Sequence, residues 1–181
     1  MKKLLISLSA LLFIILLNPL MAQVKTIPFD AEAKKIKFQQ VIEEEGTQKE
    51  LFNRCIFWLN DYYKDPVRVT TVRDAPSGKI MGKHTIRLKY TDDKGFERDG
   101  PTVYYEFTLE VRENRYRYTI TELLLKTASR FEIERWLDKD DPAYDPRWAD
   151  YLDQIAEYVE QWSAFLIEKM KPEPEVTEDI W

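Results

Sequence analysis

Hydrophobic and polar residues along the chain follow two different periods, one typical of helices and one of strands. Between Thr47 and Lys64 the apolar residues recur at spacings of three and four, as in a helix that buries one side; they are Leu51, Cys55, Trp58, Leu59 and Tyr62. Thr47 and Glu50 have the spacing of a capping box, in which each side chain accepts from a free amide of the first turn. We therefore predict a helix over residues 47–64 that ends before Pro66.

A second helical stripe lies near the C-terminus. Asp145 is a suitable capping residue, and Pro146 fits the first helical position because its missing amide has no partner there. Apolar residues then continue at helical spacing through Trp148, Tyr151, Leu152, Ile155, Val159, Trp162 and Leu166. This pattern predicts a helix over residues 146–170. Ser129 and Glu132 form another possible capping box, which predicts a short helix before the acidic loop 138–145.

Strand-like segments fill the space between these helices. Four segments are rich in β-branched residues or alternate apolar and polar residues with a period of two; they are residues 36–42, 67–73, 79–90 and 102–112. A further strand begins at Arg115. Residues 92–101 contain two glycines and are predicted to be a polar loop. In segment 79–90 one face is apolar and the other carries Lys83, Thr85, Arg87 and Lys89. One polar, solvent-exposed face indicates an antiparallel sheet that is covered on one side only.

The last hairpin can be assigned a register from the sequence. If Glu113 and Asn114 form a two-residue turn, three apolar pairs face each other: Val111 with Tyr116, Leu109 with Tyr118, and Phe107 with Ile120. On the opposite face Glu110 then pairs with Arg117, while Arg112 opposes Arg115 at the exposed tip. A slip of one residue would place charges in the core, so this register is strongly favoured.

These elements predict an α+β fold in the order β-α-β-β-β-β-α, with about five antiparallel strands and both main helices on one face. Residues 1–22 have the basic start, apolar middle and small final residue of a signal peptide that is cleaved before Gln23. The apolar run is shorter than the ~20 residues of a membrane span, so a retained anchor is the weaker alternative. We expect an irregular lead-in at 23–34, one domain at 35–171 and an acidic disordered tail at 172–181.

Composition narrows the classes of function. The chain has 181 residues, of which 44% are hydrophobic and 13% aromatic, which is too apolar for a disordered protein. Its net charge of −5 argues against nucleic-acid binding, because such binding depends on excess Lys and Arg. With the signal peptide, these features indicate an exported protein, either periplasmic or secreted, with no membrane span after cleavage.

The stretch from Lys35 to Leu125 also resembles a known family. The segments that carry the resemblance are KELFNRCIFWLNDYY in the first helix, APSGKIMGK at a turn and strand, and YRYTITEL in the last strand. They resemble exported proteins found mainly in Bacteroidota, known as domain of unknown function forty-four sixty-eight. The resemblance implies a TATA-binding-protein-like (TBP-like) fold and no particular activity. The family typically has Asp-Gly where this chain has Glu113 and Asn114.

Residues with catalytic potential are few. Cys55 is the single cysteine and lies in a helical stripe, so we expect a buried structural thiol and no disulfide. His84 is the single histidine and falls on an apolar strand face, which favours a hydrogen-bonded core or rim residue over a catalytic base. Neither a nucleophile motif nor a phosphate-binding loop is found, so we predict no catalytic residue and no cofactor.

Clustered carboxylates are also better explained as surface residues. Glu106 and Glu110 lie on one strand face with Cα atoms about 13 Å apart, and we expect them to pair with cross-strand Arg and Lys. Four aspartates lie in the loop before the last helix, but they lack the glycine and terminal glutamate of an EF-hand; they are Asp138, Asp140, Asp141 and Asp145. We therefore predict no metal site.

The polar side of the sheet remains as the candidate site. Its proposed binding residues, which lie near Lys83 and Glu110, are Arg87, Lys89, Tyr104, Glu106 and Arg117. An ordinary solvated surface explains the same residues, as does a structural component of the envelope. Our leading hypothesis is a soluble, non-enzymatic binding module of the bacterial envelope that recognises a protein, a peptide or a glycan. The alternative is a periplasmic hydrolase or transferase with its site in residues 126–181.

Overall fold

The computed structural model describes residues 27–172 of the chain, so the predicted leader and nearly all of the predicted acidic tail lie outside the described residues. The elements, in chain order, are β1 (Phe29–Asp30), β2 (Lys35–Ile36), β3 (Phe38–Glu43), α1 (Gln48–Tyr62), α2 (Pro66–Val69), β4 (Thr70–Asp74), β5 (Lys79–Thr91), β6 (Glu97–Arg112), β7 (Arg115–Leu125), a 3-10 helix (Ile133–Leu137) and α3 (Arg147–Lys169).

The five longer strands form one antiparallel sheet in the order β3-β7-β6-β5-β4. Helices α1 and α3 pack on the same face of this sheet. Trp58 of α1 meets Trp162 of α3 edge to face at 4.8 Å between ring centroids, and both rings contact Phe107 of the central strand β6. All three side chains are almost fully buried, so they join the two helices and the sheet into one core. The predicted α+β class is confirmed.

Two local predictions agree closely with the structure. Thr47 and Glu50 form both hydrogen bonds of the capping box at the start of α1. The β6–β7 hairpin has the predicted register, including the pair of Glu110 with Arg117. Asn114 has a φ of 57°, which asparagine tolerates better than most residues and which the tight turn requires. Local hydrogen bonding and side-chain alternation were therefore sufficient to place these two features.

Other element boundaries differ from the prediction, and each difference has a local cause. Residues 66–69 form one helical turn because the Asp65 side chain accepts from the amide of Arg68 and Pro66 occupies the first position. The predicted strand 67–73 therefore begins only at Thr70. Strand β6 starts at Glu97, inside the predicted loop 92–101, and a bulge between Arg87 and Lys89 restores its pairing with β5.

The connections around the domain are also more ordered than predicted. Phe29–Asp30 pairs with Lys35–Ile36, so the lead-in ends in a small hairpin. Ser129 and Glu132 do not form a capping box; Glu132 binds Lys35 and Arg130, and the helix that follows is a 3-10 helix with no side-chain cap. Helix α3 starts one residue later than predicted, and Asp145 still accepts from the Arg147 amide. Between residues 27 and 172, no helix has the length and apolar character needed to cross a membrane.

Candidate functional site

One face of the main sheet lies opposite the helices, and the five predicted binding residues are on or beside it. Side chains on a strand alternate between faces, so the buried residues of β6, such as Phe107 and Leu109, place Tyr104 and Glu106 on the outer side. Arg87 of β5 and Arg117 of β7 share that side. We call this surface, with Lys89 at its end, the open face.

Four cations of the open face, Lys83, Arg87, Lys89 and Arg117, are each paired with a carboxylate. Lys83 Nζ lies 2.6 Å from Glu106 Oε1, and Arg117 Nε donates to Glu110 Oε2 at 2.9 Å. These contacts confirm the prediction that both glutamates pair with cross-strand cations. Exposed pairs of this kind contribute little to stability, about 0–1 kcal/mol each. Their main effect is to hold long side chains in fixed positions on a charge-balanced surface.

Two further pairs involve residues that the sequence analysis placed in a loop. Arg87 contacts Asp99 at 3.0 Å, and Lys89 contacts Glu97. Both acidic residues lie on the unexpected extension of β6, so their partnership could not be seen before the strand boundary was known. The hydrogen bond that Lys89 donates to Glu97, with the attraction of that carboxylate, raises the pKa of Lys89. Lys89 is therefore paired with Glu97 rather than free.

Tyr104 is the exposed aromatic residue among these pairs. Its side chain is 40% exposed, and the Lys126 ammonium group lies 5.6 Å from the ring centroid. A partly exposed tyrosine offers an apolar ring and a hydroxyl at low conformational cost. Tyr104 is therefore the residue of the open face best suited to anchor a partner.

His84 faces the interior, between the sheet and the helices. Its ring is half-buried and meets the rings of Tyr63 and Tyr105 at centroid distances of 5.0 and 6.3 Å. Burial lowers the pKa of His84, because the charged imidazolium loses solvation there. The position agrees with the predicted core or rim residue, although Nδ1 has no hydrogen-bond partner within the described part of the chain.

A buried chain of hydroxyl groups lies beside His84. Trp162 Nε1 donates to the Tyr63 hydroxyl at 2.8 Å. The hydroxyls of Tyr63 and Tyr105 are hydrogen-bonded at 3.0 Å, and those of Tyr105 and Tyr158 at 2.8 Å. We call these four residues the tyrosine chain. Burial raises the pKa of all three phenols, so they stay neutral and act as hydrogen-bonding groups within the core. The helical pattern placed Trp162 on the buried side but did not reveal that these four residues bond to one another.

The remaining candidate groups are held in structural contacts. Cys55 is fully buried with Sγ 3.5 Å from Met170 Sδ, and burial raises its pKa to about 12, which confirms a structural thiol. In the acidic loop, Asp141 binds Arg135 and Asp145 binds Arg147. Over residues 27–172, no three His, Cys, Asp or Glu side chains are placed to hold a metal ion.

Comparison with known proteins agrees with this architecture. Residues 38–125 match the family described as a domain of unknown function (DUF4468) with TBP-like fold. A TBP-like protein from Parabacteroides distasonis ATCC 8503 is similar with a TM-score of 0.63 and 15% identity, over 80% of this chain and 96% of that one. A DUF4468 family protein from Bacteroides ovatus ATCC 8483 is similar with a TM-score of 0.65 and 11% identity, over 86% of this chain and 94% of that one.

At these identities the two solved structures establish the shared fold and nothing about activity. The comparison with curated proteins finds no match. The family match covers the sheet and α1, which include every residue of the open face, whereas α3 follows the matched segment. Residues 38–125 therefore form a domain of the DUF4468 family, and the chain has the TBP-like fold.

Proposed function

We propose that the protein is an exported, non-enzymatic binding module that holds a protein, peptide or glycan partner on the open face of its sheet. The observation that carries this proposal is the exposed ring of Tyr104, which lies among charged side chains fixed by cross-strand pairs. Binding surfaces gain affinity from a few well-placed anchors, and anchors on rigid strands lose little conformational entropy on binding.

The charge distribution favours one kind of partner over another. On the open face Lys83, Arg87, Lys89 and Arg117 each have an acidic neighbour, so the surface alternates in sign. An alternating surface complements a protein or peptide of mixed charge and does not attract a polyanion. Together with the net charge of −5, this arrangement supports a partner other than nucleic acid.

Catalysis is the weaker alternative because the potentially reactive groups are engaged elsewhere. Cys55 lies against Met170 in the core, and His84 lies against aromatic rings. In the segment proposed for an enzyme site, Asp141 and Asp145 are bound by neighbouring arginines. General acid–base or nucleophilic chemistry needs such groups to converge on a substrate, whereas each of these groups contacts a different part of the protein.

A capture experiment tests the binding proposal. The purified protein is immobilised and exposed to periplasmic extract, and the wild type is compared with Tyr104→Ala and Arg87→Glu. Lys49→Glu is the matched control, because Lys49 is exposed on α1 and carries the same change of charge on the helical side. We expect the two open-face variants to lose a partner that the control retains. Equal recovery from all four proteins would reject the open face as a binding surface.

Export is a separate part of the proposal and rests on the sequence of residues 1–22. Mass spectrometry of the protein isolated from its natural host measures the N-terminus directly. A mature chain that starts at Gln23 supports export by this route, whereas a retained leader would contradict it.

A further inference from the structure

A second feature of the open face concerns the end that carries the β6–β7 hairpin. A depression of about 250 Å³ lies there, lined by Val41, Glu110, Arg112, Arg115, Tyr116 and Arg117. We call it the arginine pocket. Val41 of the edge strand β3 is 53% exposed and forms its apolar wall, while Tyr116 points its side chain into the core.

Three arginines line this pocket because of the hairpin register. Arg112 and Arg115 are direct cross-strand partners next to the turn, and Arg117 follows Arg115 on the same face. Arg117 is already bound by Glu110. Among residues 27–172, Arg112 and Arg115 form neither an ion pair nor a side-chain hydrogen bond. Two like charges directly opposite each other are unfavourable, so this end of the hairpin retains unbalanced positive charge.

The charges around the pocket do not cancel this excess. Glu43 of β3 is the cross-strand neighbour of Arg115, but Glu43 forms no ion pair with a described residue. The lining of the pocket itself holds three arginines and one glutamate, Glu110. A concave site with an excess of positive charge concentrates anions, even on a protein whose net charge is −5.

We infer that the arginine pocket binds an oxyanion, a carboxylate or a phosphate group, through Arg112 and Arg115. The planar guanidinium group donates paired N–H bonds that match the oxygen spacing of both anions. Val41 adds a small apolar contact for the carbon chain that bears the group. This site goes beyond the proposed function, since a small anion binds there whether or not the open face holds a larger partner.

Thermal unfolding and an NMR titration of the purified protein test this inference. The probes are inorganic phosphate, N-acetylalanine as a model of a peptide C-terminus, and N-acetylalanine amide as its uncharged control, each at ionic strength matched with sodium chloride. A bound anion raises the unfolding temperature by mass action and shifts the amides of residues 112–117. The double variant Arg112→Gln/Arg115→Gln should raise the dissociation constant by about tenfold or more, because it removes the charge-assisted donors. Arg68→Gln, on α2 away from the pocket, is the matched control and should leave binding unchanged.

The outcomes separate the two sources of the anion. Binding of phosphate alone identifies a phosphate site, and binding of N-acetylalanine without its amide identifies a carboxylate site. The inference is overturned if neither anion changes the unfolding temperature or the amide shifts more than sodium chloride of the same ionic strength does. It is also overturned if the double variant binds as tightly as the wild type.

A further experiment does not need a ligand. At low ionic strength Arg112→Gln should unfold at a higher temperature than the wild type, because it removes the like-charge contact. Arg112 and Arg115 are not among the five predicted binding residues, so this test can fail while the capture experiment succeeds.

Discussion

Replacing Tyr105 with phenylalanine removes one hydroxyl from the middle of the tyrosine chain. Tyr105 is fully buried, and its hydroxyl bonds those of Tyr63 and Tyr158 at 3.0 and 2.8 Å. Each such bond contributes a net 0.5–1.5 kcal/mol, so the loss of two should lower the free energy of unfolding by about 1–3 kcal/mol. The lower half of that range is expected, because Tyr63 retains the bond from Trp162.

The chain offers a matched control for this change. Tyr116 is also almost fully buried, but within the described residues its hydroxyl has no hydrogen-bond partner. Tyr116→Phe removes the same atom from an equally buried ring without breaking a bond, so stability should stay the same or rise slightly. Urea unfolding measures both variants, and the comparison is valid if the slope m is unchanged. Equal stability of the two variants would refute the view that the tyrosine chain stabilises the core.

A double-mutant cycle tests whether these hydroxyls act together. Tyr63→Phe removes the acceptor of the Trp162 indole N–H and leaves that buried donor without its partner. If the tyrosine chain is coupled, combining Tyr63→Phe with Tyr105→Phe should deviate from additivity by about 0.5 kcal/mol or more. Additive effects within the error of the measurement would show that the bonds act independently.

Three further predictions concern single residues of the core. Burial lowers the folded-state pKa of His84 below its ordinary value of 6.5, so folding favours the neutral ring and the free energy of unfolding should fall as the pH drops below 6.5. His84→Gln should flatten this part of the stability profile. An unchanged profile would contradict the assignment. Gly82→Ala places a Cβ 2.3 Å from the Phe107 ring, so it should lower the free energy of unfolding, measured in urea, by about 1–3 kcal/mol. A decrease below about 0.5 kcal/mol would mean that the sheet adjusts freely. Cys55 should not react with a thiol reagent at pH 8 until the protein unfolds, because burial raises its pKa to about 12; rapid labelling of the native protein would show that α1 opens locally.

Features that depend on neighbouring residues were well predicted from the sequence. The capping box at Thr47 and Glu50 needs only one turn of helix, and the register at Asn114 follows from the alternation of two adjacent strands. After Pro66 two local patterns favour different structures. The β-branched residues after Pro66 suggested a strand, but the Asp65 cap and the proline start a helical turn first.

Predictions were less successful where the outcome depended on distant contacts. Residues 97–101 contain Gly100 and Pro101 and look like a loop, yet they extend β6 because β5 lies beside them. This extension places Asp99 and Glu97 next to Arg87 and Lys89, so two ion pairs of the open face could not be anticipated. The arginine pocket was only partly predicted: the hairpin register placed Arg112 opposite Arg115, but Val41 joins them from β3, a strand far earlier in the chain.

The sequence by itself determined the α+β class, the burial of Trp58, Phe107 and Trp162, and the polar character of one side of the sheet. Periodicity decides these features, because it states which residues of an element must leave water together. Only the tertiary structure decided which buried hydroxyls bond in the tyrosine chain, which charges pair on the open face and which arginines remain unpaired. These contacts join residues that are far apart in the chain, and their geometry depends on strand order and bulges that local periodicity does not encode.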